Sequence, residues 1–367
     1  MLTTLHGWID KLAAVSSVIP NMHLKVDLNN ADLDTDAFNL ANCDAYCRLI
    51  ARAIDELVAR GFSSKESARD LLSCLIKRHT YDAFAEIAAY DWLTRCSVSI
   101  KTQVSMAPGD VLGAQGSTLD GKIVHNDDGT YFDVKAFGAN GRLAQRLKER
   151  LEKEFPFEQV LVEESWDLSF ETFQELIASA SGIARELKQI RTVQKGRLCI
   201  RLEAQKPVTV SSHEGDPYCL ARENALFPYK DAQQFARNRP FILIYVMHPW
   251  FNSGWIRSDP YGVDTAFTRS LARRAFMQFS IDSTPLNTIC EKVPSDVTLA
   301  DASRLLSAMF FVNVWPLDAD PAIIRPMPSW LYLNPRATHQ LSRLTVNLLC
   351  ANNPVCTHVD DFANDNY

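Results

Sequence analysis

The stretch Leu119-Asp120-Gly121-Lys122-Ile123-Val124-His125, then Asn126-Asp127-Asp128-Gly129, then Thr130-Tyr131-Phe132-Asp133-Val134-Lys135-Ala136-Phe137 decides the reading. Its two flanks are rich in β-branched and aromatic residues, and the polar quartet between them has hairpin turn chemistry. Asp127 and Asp128 read as turn formers. Residues two apart on a strand share a face, so Asp133 and Lys135 project together, while Phe132, Val134 and Ala136 turn to a core. A four-residue loop sets His125 across from Thr130, which pairs Asp120 with Lys135 and Lys122 with Asp133. A two-residue turn at Asp128-Gly129 would instead set Asp120 across from Phe137; the shared face survives, but the cluster loosens. Opposed Cβ atoms lie about 5 Å apart and diagonal ones about 7–8 Å. The first register gathers two carboxylates and one ammonium in one place.

Such a pair of carboxylates supplies hard oxygen donors of the kind Mg²⁺ or Mn²⁺ takes, together with waters and phosphate oxygens. The chemistry that fits is phosphodiester hydrolysis. A metal there polarises the phosphate and acidifies a water, and Lys135 orients the nucleophile and stabilises developing charge. A fourth member comes from the helix expected over 82–94. On a helical wheel Glu86 has Leu93, Tyr90, Ala83 and Ala89 within about 60°. A carboxylate among apolar neighbours is costly unless it is paired or binds a metal. The plain alternative is a solvated hairpin with an ordinary cross-strand ion pair and an exposed Glu86.

Asp120, twelve intervening residues, then Asp133-Val134-Lys135 resemble the PD-(D/E)xK signature of the restriction-endonuclease-like nuclease superfamily. Leu119 stands where the signature has proline. The resemblance covers roughly residues 80–165 and extends toward 250. It implies an α/β protein with an αβββαβ core, Asp120, Asp133 and Glu86 as metal ligands, Lys135 as the catalytic base-positioning group, and Mg²⁺ or Mn²⁺ as cofactor. It also implies a nucleic-acid substrate, DNA ahead of RNA, in restriction, defence or repair. The rival is a catalytically inactive nuclease fold serving as a nucleic-acid-binding or scaffold module.

Around this core the chain divides into a helical extension over 1–79, an α/β core over 80–250, a mainly helical extension over 251–345 and a polar tail over 346–367. Helices are expected over 38–60, 65–77, 82–94, 142–154, 169–190, 265–279 and 299–309. Strands are expected over 97–104, 119–125, 130–137, 159–162, 197–202 and 241–247, the last buried on both faces. The segment around Trp330-Leu331-Tyr332-Leu333-Asn334-Pro335 reads as turn-rich, and the last dozen residues as frayed. The extensions offer surfaces for a homodimer or a protein partner.

Composition narrows the classes. The chain has 367 residues, 38 Lys and Arg against 44 Asp and Glu, and a net charge of −6. That argues against gripping nucleic acid by global charge but allows local basic surface. Arg191, Lys195 and Arg197 belong to a basic run over 183–201, and Arg269 and Arg273 stand one helical turn apart; these are the candidate nucleic-acid contacts. His248 reads as a core or turn histidine ahead of an active-site neighbour. The longest apolar run, 241–247, is far short of the roughly 20 residues a spanning helix needs, and MLTTLHGWIDKL lacks a basic leader and an apolar core. Nine scattered cysteines suit a reducing cytoplasm. Neither Cys43/Cys47 nor Cys350/Cys356/His358 has the second ligand pair a zinc site needs. Gly116–Lys122 fits the start of a P-loop, but Ile123 replaces its Ser or Thr and a strand follows. There is no Gly-x-Ser-x-Gly elbow.

Overall fold

A computed structural model describes residues 4–24, 35–76, 80–124, 129–137, 147–163, 175–196, 198–204, 218, 221–222, 224–247, 263–314, 327–351 and 356–359. Asp127, Asp128, Arg197 and His248 lie outside the described residues. The protein is mixed α/β, in two compact units. One comprises Met1–Ala136, Leu226–Met247 and Ala272–Tyr367; the other comprises Phe137–Ala225 and His248–Leu271.

The first unit begins with helices α1 (Leu5–Ala14), α2 (Thr35–Asn42), α3 (Asp44–Ala59), α4 (Lys65–Leu75) and α5 (Thr80–Arg95). The helix expected over 38–60 is two helices, because Cys43 is extended and starts α3 afresh. Gly61 ends α3 at φ +68°. Its amide and that of Phe62 return to the Val58 and Leu57 carbonyls at 3.1 and 2.9 Å, the left-handed stop that glycine supplies. Ser64 caps α4 by accepting from the Ser67 amide at 3.1 Å. Ser63-Ser64-Lys65-Glu66 has the spacing of a capping box begun at Ser63, but the cap is Ser64, which puts Ser67 where the reciprocal Glu or Gln would stand.

α5 is apolar on nearly every side, with Phe84, Ile87, Ala88, Trp92 and Leu93 all at most 1% exposed. A helix of this kind belongs inside a core. The Tyr46 and Trp92 rings meet Phe84 and Phe310 edge-on at 5.3 and 4.5 Å. One charge lies within this packing: Asp91 is fully buried and held by Arg52 of α3 through two hydrogen bonds of 2.7 and 2.9 Å. Arg95 approaches its second oxygen at 2.9 Å. Burial pushes the Asp91 carboxyl up to about 6, against the pull of Arg52.

The main sheet has seven strands in the order β1-β2-β3-β7-β8-β9-β10. These are β1 (Ile100–Met106), β2 (Ser117–Ile123), β3 (Thr130–Phe137), β7 (Phe241–Met247), β8 (Leu306–Asn313), β9 (Ser329–Leu333) and β10 (Cys356–Val359). β1 to β3 form an antiparallel meander, and β7 pairs with β8 in parallel. Ile242, Ile244 and Val246 join the core beneath the helices. On the other face Phe235 packs on Phe241 at 5.1 Å and Phe227 on Tyr245 at 5.8 Å. Every residue of β7 is buried, as expected.

The second unit holds a separate antiparallel sheet, β4 (Glu158–Glu163), β6 (Leu198–Ala204) and β5 (Thr192–Lys195), with helix α6 (Ala180–Ile190). Leu151, Val160, Ile183, Leu187, Val193 and Ile200 form its core. The strand at 159–162 therefore forms but does not join the main sheet; β7 takes the place beside β3. Helix α7 (Val263–Arg273) ends this unit's chain segment.

The C-terminal third contains more strand than its sequence suggests. The helix expected over 299–309 stops at α8 (Leu299–Leu305), and β8 starts at the next residue. Its LSAMFFVN run is buried at every position, so no period separates strand from buried helix. The WLYL segment is β9, and after α9 (Arg343–Ala351) residues 356–359 are ordered as β10 against β9. No described helix is long and apolar enough to cross a membrane. Cys43, Cys47, Cys74, Cys96, Cys199, Cys290 and Cys350 are free thiols.

The Asp91 anchor gives the first prediction. Arg52→Leu leaves a buried charge with one fewer cation, and unfolding free energy near pH 7.5 should fall by about 3–5 kcal/mol. Asp91 is neutral below its folded value, so the loss should shrink as pH drops through about 6. Urea titrations at pH 7.5 and 5.0 measure both.

Candidate active site

The β2–β3 ladder pairs Ile123 with Thr130, Lys122 with Tyr131 and Gly121 with Phe132, then stops. Six residues intervene between Ile123 and Thr130, so the loop is longer than the expected four and the register moves by two. Asp120 now stands across from Asp133 rather than Lys135, and Lys122 across from Tyr131 rather than Asp133. An even-numbered loop keeps side-chain parity, so the expected shared face is retained.

Beyond Gly121 the side chains take over from the ladder. The Val134 amide donates to Asp120 Oδ2 at 2.7 Å, and the Asp120 amide donates to Asp133 Oδ1 at 3.4 Å. A Cβ at Gly121 would collide with the Phe132 ring, which covers that glycine. Asp133 is fully buried, and its Oδ2 is ion-paired with Lys135 Nζ at 2.6 Å.

Glu86 reaches the same cavity from α5. Its Oε1 accepts from Gln103 Nε2 at 2.7 Å and meets the Tyr90 hydroxyl at 2.6 Å. That hydroxyl also lies 2.7 Å from the Asp120 carbonyl oxygen. A phenol has one proton and a backbone carbonyl has none. The single phenol proton is therefore shared between two acceptors, the Glu86 carboxyl and the Asp120 carbonyl. Burial raises Glu86 above its ordinary value against the Tyr90 and Gln103 hydrogen bonds, with the Asp133 charge adding to the rise. Asp120 is raised well above its ordinary value by burial and then by the Asp133 and Glu86 charges. Burial pulls the Lys135 ammonium down, but Asp133 and Asp231 more than offset it, so it is held above its usual range.

Sequence reasoning missed three members. Gln103 has φ +51° inside β1, between the pairs Thr102–Gly121 and Val104–Leu119. A left-handed non-glycine residue costs about 1–3 kcal/mol, and here it delivers the amide that holds Glu86. Gln234 accepts from Lys135 Nζ at 2.7 Å and donates to Asp133 Oδ1 at 3.3 Å. Asp231 stands 3.5 Å from the same ammonium. The last two lie about a hundred residues beyond the hairpin, where no spacing could connect them to it. The groups line a cavity of about 810 Å³, bounded also by Ser63, Ser67 and Cys74.

Arg191 pairs with Glu158 at 2.6 Å and Lys195 with Glu186 at 3.0 Å, both in the second unit. Arg269 and Arg273 are half-buried on α7 and already engaged within the protein. Among the described residues, no three His, Cys, Asp or Glu side chains converge as a ready-made metal-ligand set. Asp133 is instead closed onto Lys135.

Glu86 should titrate above the ordinary glutamate value of about 4.3. Gln103→Leu removes a hydrogen bond that lowers it, so its midpoint should rise further. Carboxyl ¹³C shifts followed through a pH titration read both midpoints. Comparison with protein-family models, curated proteins and solved structures finds no match to this chain.

Proposed function

We propose that the protein is a metal-dependent nuclease that hydrolyses phosphodiester bonds, with DNA ahead of RNA as substrate. The observation that carries this reading is the assembly of Glu86, Asp120, Asp133 and Lys135 around one cavity, from α5 and both arms of the hairpin. The order α5-β1-β2-β3, with β7 beside β3, supports a restriction-endonuclease-like core. In this reading the larger segment of the second unit, Phe137–Ala225, is an insertion between β3 and β7.

The donor set suits Mg²⁺ or Mn²⁺: oxygen ligands only, three carboxylates that share one ammonium, Lys135. Asp120, Asp133 and Glu86 would hold the ion. Bound there, it would supply charge to polarise the phosphate and acidify a water. Lys135 has to release Asp133 Oδ2 for that carboxylate to serve. Gln234 and Asp231 give the ammonium somewhere to go, 2.7 and 3.5 Å away. From there it positions the attacking water and stabilises charge on the phosphate oxygens. Gln103 and Tyr90 hold Glu86 in place, and the Val134 amide holds Asp120.

The closed Asp133–Lys135 pair also favours a second reading, a nuclease-like fold that binds nucleic acid without cutting it. Turnover separates the two. The purified chain should cleave single- or double-stranded DNA or RNA only with Mg²⁺ or Mn²⁺. Asp133→Ala should abolish cleavage and most metal binding. Lys135→Ala should keep metal binding while the chemical step falls by at least about 10²-fold. A parent that binds nucleic acid but cleaves none of these substrates with either ion decides for the second reading.

Metal binding should also be linked to protons. Glu86 and Asp120 are raised above their ordinary values, so a cation binding there competes with protons. Affinity for Mn²⁺ should therefore climb as pH rises toward their folded values and level off above them. Calorimetry in buffers of different ionisation enthalpy should register proton release on binding.

A further inference from the structure

The register of the meander places a second row of side chains beside the candidate site. Lys101 of β1 is paired with Lys122 of β2, and Lys122 with Tyr131 of β3. The row two residues on, across the same strands, is Gln103, Asp120 and Asp133. Residues two apart share a sheet face, so both rows belong to one face, about 7 Å apart. That face is open at β1, where Lys101, Gln103 and Ser105 are exposed.

The row sets two like charges side by side. Like charges directly opposed on adjacent strands are destabilising, yet Lys101 and Lys122 are direct partners. Neither has an ion pair among the described residues. A lysine on an edge strand protects that edge from unwanted pairing, which accounts for Lys101 on β1. Lys122 lies one strand further in, where edge protection does not apply. Its Nζ stands 5.4 Å from the centroid of the Tyr131 ring, which is itself only half-buried.

We infer that Lys101, Lys122 and Tyr131 form a track for single-stranded nucleic acid, leading into the site that Asp120 and Asp133 define. The two ammonium groups take backbone phosphates, and the Tyr131 ring offers a face for an unpaired base. A polyanion on this row turns an unfavourable Lys–Lys pair into a favourable one. The inference rests on the nuclease reading for what happens to the strand, but the binding surface stands or falls separately.

Binding is measured on the full chain, by anisotropy of a fluorescein-labelled oligo-dT strand in EDTA, where no cleavage intrudes. The Lys101→Ala/Lys122→Ala double variant should bind at least about tenfold more weakly. Its slope of log K against log salt should be shallower by about 1.4, two phosphate contacts at about 0.7 each. Tyr131→Leu should lose about fivefold or more on the strand and much less on a blunt duplex of the same length. Circular dichroism checks that each variant is folded, and Tyr131→Phe, which keeps the ring, should bind like the parent. Unchanged affinity and slope in a folded double variant overturn the track, even if the parent cleaves. Weakened binding with no cleavage by the parent keeps the track and removes the nuclease. A preference for duplex that survives all three substitutions also overturns it.

Discussion

The arrangement depends on where the β2–β3 ladder ends. Up to Gly121 and Phe132 the two strands are bonded backbone to backbone; one residue later the bonds run from backbone to carboxylate. Buried amides must be satisfied somewhere, and here Asp120 and Asp133 are the acceptors. The divergence is fixed by packing: the Phe132 ring lies over Gly121, where no larger residue fits. Two carboxylates are thereby held by the fold rather than by each other, which is the condition for keeping like charges close.

The charge balance of the cavity follows. Glu86, Asp120, Asp133 and Asp231 face one ammonium, Lys135. Burial and mutual repulsion raise Glu86 and Asp120 above their ordinary values, the direction in which a proton or a cation would relieve them. Lys135 sits between acceptors on both sides, Asp133 on one and Gln234 with Asp231 on the other.

The shared face of Asp133 and Lys135 was legible in the period-2 pattern of 130–137, and the apolar wheel around Glu86 placed it among buried neighbours. Register was not legible, because loop length sets it and Val124, His125 and the polar quartet leave that length open. The seat of 159–162 was not legible either; a four-residue run does not say which sheet it joins. Strand β8 escaped for a different reason, being buried at all eight positions and so without a period. Asp231 and Gln234 reach the site only through the aromatic layer of Phe227, Phe235 and Phe241, a tertiary fact with no local signature.

Helix α5 ties these parts together. Asp91 and Glu86 are five residues apart, so they leave the helix about 140° apart and about 7.5 Å along its axis. One carboxylate anchors the helix to α3 through Arg52, and the other is presented to the strands. Between and around them Phe84, Ile87, Ala88 and Trp92 are buried, so the helix cannot rotate or slide without opening the core. A functional carboxylate needs its position held to about half an ångström by groups whose own rotamers are locked. Glu86 meets that condition through Tyr90, one turn away on the same helix, whose hydroxyl touches both the carboxylate and the Asp120 backbone. The helix and the diverging hairpin are thus joined at one phenol oxygen, and the distance between Glu86 and Asp120 is set there.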